Sequence, residues 1–215
     1  MKTKDKILQA SLQLFNEEGE QDVTSVDIAN VLDMSPGNLY YHFKGKDPII
    51  RQLFLDFEEE FKMVLQAPIE KSLELSDNWV YFYILFEEVA DFRFFYRNLQ
   101  GLVERYGDLE QRFRSLVNLK IKTMASIIFD LDKQGFINIG RIEAEQMAER
   151  FAQQLTYWPT YHSLMAPQLS LPVSIHNGVF SLISQLTPYV SGGSAEFLTL
   201  TTEFRDKMLK GVKRK

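Results

Sequence analysis

The stretch SPGNLYYHF, Ser35–Phe43, constrains the fold more than any other part of the chain. Ser35 followed by Pro36 reads as an N-cap and a first helical position. Proline loses nothing there, because the N–H it lacks has no intrahelical partner. Gly37 has no side chain, so backbone can come close to another surface. On a helical wheel Leu39 and Phe43 share one face, Tyr41 lies almost opposite, Asn38 and Tyr40 flank it, and His42 sits at the border. The spacing predicts a short helix that buries Leu39 and Phe43 and turns aromatic rings outward.

The neighbouring sequence supplies what such a helix must pack against. TKDKILQASLQLFNEEG carries Ile7, Leu8, Leu12, Leu14 and Phe15 at helical spacing and stops at Gly19. Thr24 and Asp27 form a capping-box pair that opens a second helix, with Ile28, Val31 and Leu32 on its apolar face. Only Asp33 and Met34 separate this helix from Ser35. Two short helices, a tight turn and the small Ala29 at the crossing make a helix-turn-helix pattern. Free N–H groups at the start of the second member favour an anion, and aromatic edges, phenols and amides suit base edges and phosphates. A plain apolar three-helix bundle has the same periodicity, so periodicity alone leaves DNA binding and simple packing both open.

The rest of the chain also reads as helix. Asp47–Pro48 opens a long amphipathic helix whose stripe runs from Ile50 to Leu65 and whose end is expected at Pro68. Helices are expected over 76–91, 108–134, 143–165 with a kink at Pro159, 174–190 and 194–210, with two short pieces between 92 and 107. FINIG, 136–140, reads as a loop or short extended piece. The fold class is all-α: a three-helix helix-turn-helix domain at 1–50 and a larger helical domain at 51–215.

Composition limits function. With no cysteine, disulfides and thiolate metal sites are excluded. The aromatic run WVYFYILF, 79–86, is too short for a membrane span, and the N-terminus lacks an apolar signal region, so a cytoplasmic protein without a membrane partner is expected. The net charge of −5 by itself argues against nucleic-acid binding, although binding depends on local charge, over which a net figure averages. No nucleophile elbow, phosphate-binding glycine loop or zinc-protease helix motif occurs, and His42, His162 and His176 are scattered. DLDKQG, 130–135, imitates a calcium loop but has Arg141 where the bidentate glutamate belongs. Neither an enzyme nor a metal or cofactor site is expected. The competing class is a helical ligand-binding or interaction protein with no DNA target.

GNLYYHF, then Lys46 three residues after Phe43, then an apolar pair opening the next helix, resembles the TetR family of bacterial transcriptional regulators over about residues 4–53. FRFFYRNLQGLVERYGDLEQRF resembles one ligand-domain type of the same family. The resemblance implies a cytoplasmic homodimer that binds a pseudo-palindromic double-stranded DNA operator, most often as a repressor released by a small-molecule effector. It implies that 51–215 is an effector-binding and dimerisation domain, that Thr24 and Ser25 touch phosphates, that Ser35, Pro36, Gly37, Asn38, Tyr40, Tyr41 and His42 form the recognition surface, and that Lys46 binds backbone phosphate; Lys44, just after the helix, stands ready for phosphate by its position alone. One departure is charge: residues 1–51 hold six Lys and Arg against eight Asp and Glu.

Candidate effector-binding residues are Trp79, Tyr83, Phe86, Phe95, Tyr157, Trp158, Tyr161 and His162, an aromatic set with a few polar tips that suits a hydrophobic or aromatic effector. A helical aromatic stripe equally suits a packed core. Dimerisation is expected along 143–165 and 174–190.

Overall fold

The computed structural model describes residues 2–71, 73 and 77–212. Among them the chain forms eleven α-helices: α1 (Thr3–Glu18), α2 (Ser25–Val31), α3 (Pro36–His42), α4 (Lys46–Glu70), α5 (Asp77–Asp91), α6 (Arg93–Arg97), α7 (Leu99–Arg105), α8 (Gly107–Lys133), α9 (Arg141–Met165), α10 (Leu171–Ile183) and α11 (Ser194–Val212). A 3-10 helix, Ser184–Tyr189, follows α10.

The chain divides into two compact units, and the division does not follow the expected boundary after residue 50. One unit holds Met1–Phe61 and Asp91–Phe113; the other holds Lys62–Ala90 and Arg114–Lys215. The first therefore takes back α6, α7 and the start of α8.

The first unit is built around α1 and the first half of α4. Ile7, Phe15, Ile28, Leu39, Ile49, Phe54 and Phe57 are buried. The returning segment adds rings to this core: Phe94 meets Phe15 at 5.2 Å, Phe92 meets Phe57 at 5.0 Å, and Phe95 meets Phe54 edge-on at 5.4 Å. Asn16 fixes that return. Its amide donates to the Asp91 carbonyl at 2.7 Å and its side-chain oxygen accepts from the Phe94 N–H at 3.1 Å. Tyr106 donates to Asp47 at 2.8 Å, and the Arg51–Asp108 pair adds a second tie between the starts of α4 and α8.

In the second unit Phe61-side periodicity continues along α4 through the buried Leu65, while α8 buries Leu116, Met124, Ile128 and Leu131. Pro68 does not end α4, which runs on to Glu70. Proline deprives the Val64 carbonyl of its usual i+4 donor. The Tyr81 hydroxyl of α5 donates to that carbonyl at 3.2 Å, so the missing bond is replaced from outside the helix. FINIG is extended: Ile137 pairs with Val190 in an isolated antiparallel bridge, and Ser191 N–H donates to the Phe136 carbonyl at 3.0 Å. The helix expected over 174–190 starts at Leu171, with proline in its first turn, and tightens to 3-10 geometry from Ser184.

Candidate nucleic-acid interface

The helix-turn-helix candidate is assembled by local rules. Thr24 caps α2: its hydroxyl accepts from the Asp27 N–H at 3.3 Å and donates to the Asp27 carboxylate at 2.6 Å, which also accepts from the Thr24 N–H at 2.8 Å. These bonds hold the Asp27 carboxyl below its ordinary range, with the Thr24 hydroxyl the largest cause. The turn reverses at Asp33, whose φ of 50° makes it the one non-glycine residue in the left-handed region among those described. Asp tolerates that conformation better than most side chains. Met34 N–H then donates to the Ala29 carbonyl at 3.0 Å and closes the turn. Ser35 caps α3, accepting from the Asn38 N–H at 3.2 Å.

The wheel is reproduced in space for α3. Leu39 is 1% exposed and Phe43 8%, whereas Tyr41 is 84% exposed and Tyr40 59%. Ser35, Pro36, Gly37 and Asn38 are exposed, and His42 is half-buried with its ring 5.2 Å from Tyr41. A Cβ on Gly37 would meet only the Ser35 hydroxyl oxygen, at 4.0 Å. Nothing in this chain requires a glycine there. Val31, expected on the buried face of α2, is 59% exposed, because α2 turns only Ile28 and Ala29 fully inward.

Lys44 is exposed, but Lys46 is not placed as the sequence suggested. Its ammonium donates to the carbonyls of Glu20 and Val23 at 2.6 and 2.9 Å and lies 3.4 Å from the Glu20 carboxylate. Two hydrogen bonds and an ion pair thus tie this half-buried side chain to the α1–α2 corner. Glu20 is buried and also receives Arg105 at 2.8 Å. A cation the sequence reading passed over is Lys4, 5.8 Å from the Phe43 ring at the end of α3. Its position in the first turn of α1 gave no sign of that proximity. Thr24 is exposed and Ser25 half-buried, with the Thr24 hydroxyl proton spent on Asp27.

The eight aromatic effector candidates do not form one site. Phe95 lies in the first unit, stacked on Phe94 at 4.1 Å, because the chain returns there after Asp91. Tyr157, Trp158, Tyr161 and His162 line a groove of about 580 Å3 between α9 and α10, in which His162 stacks on Trp158 at 5.5 Å and hydrogen-bonds Ser174. Tyr157 and Tyr161 are 56% and 66% exposed. Phe86 is fully buried with its ring 5.1 Å from Trp158, and Tyr83 packs on His176 at 4.8 Å. Trp79 lines a different cavity, beneath α11. Among the described residues, no cluster of three His, Asp or Glu side chains could hold a metal ion, and no helix is long and apolar enough to cross a membrane.

Comparison with known proteins follows this geometry closely. The profile described as "Bacterial regulatory proteins, tetR family" matches residues 7–53, and that described as "Bacterial transcriptional repressor" matches residues 56–197. The HTH-type transcriptional regulator QacR of Staphylococcus aureus is 29% identical over 123 residues, covering 53% of this chain and 65% of QacR. The biofilm operon negative regulator IcaR of the same species is 41% identical over 49 residues, 23% of this chain and 26% of IcaR. The matched stretches thus span less than two thirds of either relative. A TetR-family regulator from Marinobacter aquaeolei superposes with a TM-score of 0.84 over 97% of this chain and 99% of that one, at 29% identity. The ketosteroid regulator KstR2 of Mycobacterium tuberculosis shares the fold at 18% identity, with a TM-score of 0.64 over 88% of this chain and 96% of that one. The chain belongs to the TetR family of bacterial regulatory proteins.

Proposed function

We propose that the chain is a dimeric transcriptional repressor that binds a pseudo-palindromic operator through α3 and leaves it when an apolar effector occupies the second unit. The observation that carries this reading is the asymmetry of α3. Its inner face is packed, yet two neighbouring tyrosines stand in solvent beside a glycine the fold does not need. Exposing large aromatics costs free energy unless a partner covers them. A short capped helix with such a face suits entry into a major groove, where the phenols reach base edges and thymine methyls. Tyr40, Tyr41, Asn38 and Gly37 then read bases; Ser25, Lys44 and Lys4 meet phosphates; Lys46 supports the corner from within.

The repressor sense draws on IcaR and on KstR2 of Mycolicibacterium smegmatis, which are named as negative regulator and repressor. The second unit would dimerise along α9, where Tyr157, Tyr161, Leu164 and Met165 are all exposed.

Selection from random double-stranded DNA tests the reading. The protein is expected to enrich an inverted repeat with half-sites about one helical turn, roughly 34 Å, apart. Tyr41→Ala should lose that binding with its helical circular dichroism unchanged. Failure to enrich any motif at low salt would return the chain to the class of helical proteins without a DNA target.

A further inference from the structure

We propose that the cavity beneath α11 is a binding site for an uncharged, apolar small molecule, with α11 as its cover. The cavity holds about 630 Å3, within the range of drug-sized ligand sites. Its floor is Trp79 and Phe82 of α5, and its cover is Phe197, Leu200 and Phe204 of α11. The extended pair at Ile137 and Val190 supplies a wall. Phe136, Leu200 and Phe204 of the lining are each more than a third exposed, an apolar surface that a ligand would take out of water.

The lining also states the ligand's charge. None of the described lining residues is ionisable. A charged ligand entering would surrender its hydration with no charged side chain in the lining to replace it. The polar side chains are few: Asn78, Ser191 and Thr201. The Thr201 hydroxyl donates to the Phe197 carbonyl at 2.7 Å, so it offers a ligand only its lone pair. The site therefore fits a neutral molecule with an aromatic or hydrocarbon body and at most one or two hydrogen-bonding groups.

The cover is attached as a hinged element would be. Gly192 lines the cavity, and Gly193, directly before α11, has a φ of 117°, which side chains other than glycine rarely adopt. At its far half α11 is held by Arg205, whose guanidinium lies 4.4 Å over the Phe180 ring of α10. Between hinge and clasp, Phe204 meets Trp79 edge-on at 5.0 Å. Leu200 is 57% exposed at the rim. Trp79 thus reports directly on both cavity and cover.

Binding at this site does not depend on DNA; only its description as an effector site rests on the repressor reading. The test uses the full chain carrying Trp158→Phe, which leaves Trp79 as the sole tryptophan. Titration with the neutral dye N-phenyl-1-naphthylamine should quench Trp79 saturably, one dye per chain. The anionic 8-anilino-1-naphthalenesulfonate should bind at least roughly tenfold more weakly, as expected where a charge must be desolvated. Leu200→Arg and Ser191→Phe, both at exposed positions, should each weaken the neutral dye by roughly tenfold or more, because one charges the rim and the other fills it. Gln153→Ala, at an exposed position of the α9–α10 groove, should leave it unchanged. Undiminished binding in both rim variants, loss of binding in Gln153→Ala, or no saturable quenching overturns the proposal. Dye binding that leaves an enriched operator complex intact supports the site and removes its regulatory role.

Discussion

Single residues decide how firmly α3 is presented. Lys46 is the clearest case, since its three internal contacts stand where the sequence pattern implied a phosphate ligand. Lys46→Met should cost on the order of 2–3 kcal/mol in denaturant unfolding, because it orphans two carbonyls and half the pairing of a buried carboxylate. Loss of operator binding in that variant would then follow from a loosened corner, and would be restored by a ligand-free stabilising condition such as osmolyte. Lys120 in the second unit drew no expectation from the sequence pattern. It is fully buried between helices and donates to the Thr156 hydroxyl at 3.0 Å. Burial pushes its pKa down from 10.5 to about 7. The unfolded chain keeps that proton to much higher pH, so between about pH 7 and 10.5 the unfolded state binds more protons and stability rises with pH. Lys120→Met should abolish that rise and stabilise the protein at pH 7 by on the order of 2–4 kcal/mol, read as midpoint shifts across a pH series.

At the scale of elements, sequence periodicity located almost every helix, because each one buries a stripe with the 3.6-residue repeat. The caps at Thr24 and Ser35 were legible for the same local reason: the bonds run three residues along the chain. What periodicity could not show was set by contacts far apart in sequence. The end of α4 is one example, since the phenol that rescues Pro68 comes from Tyr81. That account predicts a coupling. Tyr81→Phe should cost about 1–2 kcal/mol alone, and clearly less in a Pro68→Ala background, where residue 68 again has an N–H for the Val64 carbonyl. Additive losses in thermal unfolding would mean that the phenol and the proline are unrelated. The aromatic effector set was dispersed for a similar reason. Residue type groups these rings in the sequence, but the α5 ring at Trp79, the α9 rings and Phe95 fall in three separate environments.

At the scale of the whole molecule, the exposed stripe on α9 is the surface proposed above for dimerisation. Leu164 is 77% exposed, Tyr161 66% and Met165 59%, on one helix end. Tyr161→Glu should shift the protein from dimer to monomer in light scattering while its helical content is retained, and should weaken operator binding, since two half-sites are held together only by a paired reader. The charge balance of residues 1–51 sets the second expectation at this scale. With acidic groups in slight excess, log affinity should fall with log salt at a slope matching only a handful of phosphates, in gel-shift titrations between low and moderate salt.

Because Asp91–Phe113 goes back to the amino-terminal unit, the backbone passes from one unit to the other three times. A hybrid regulator made by splicing this chain once, after Phe61, would leave Phe15, Phe54 and Phe57 facing a foreign replacement for Phe92, Phe94 and Phe95. Exchanging DNA specificity with another family member therefore calls for grafting surface positions of α3 alone, or for transplanting both segments together.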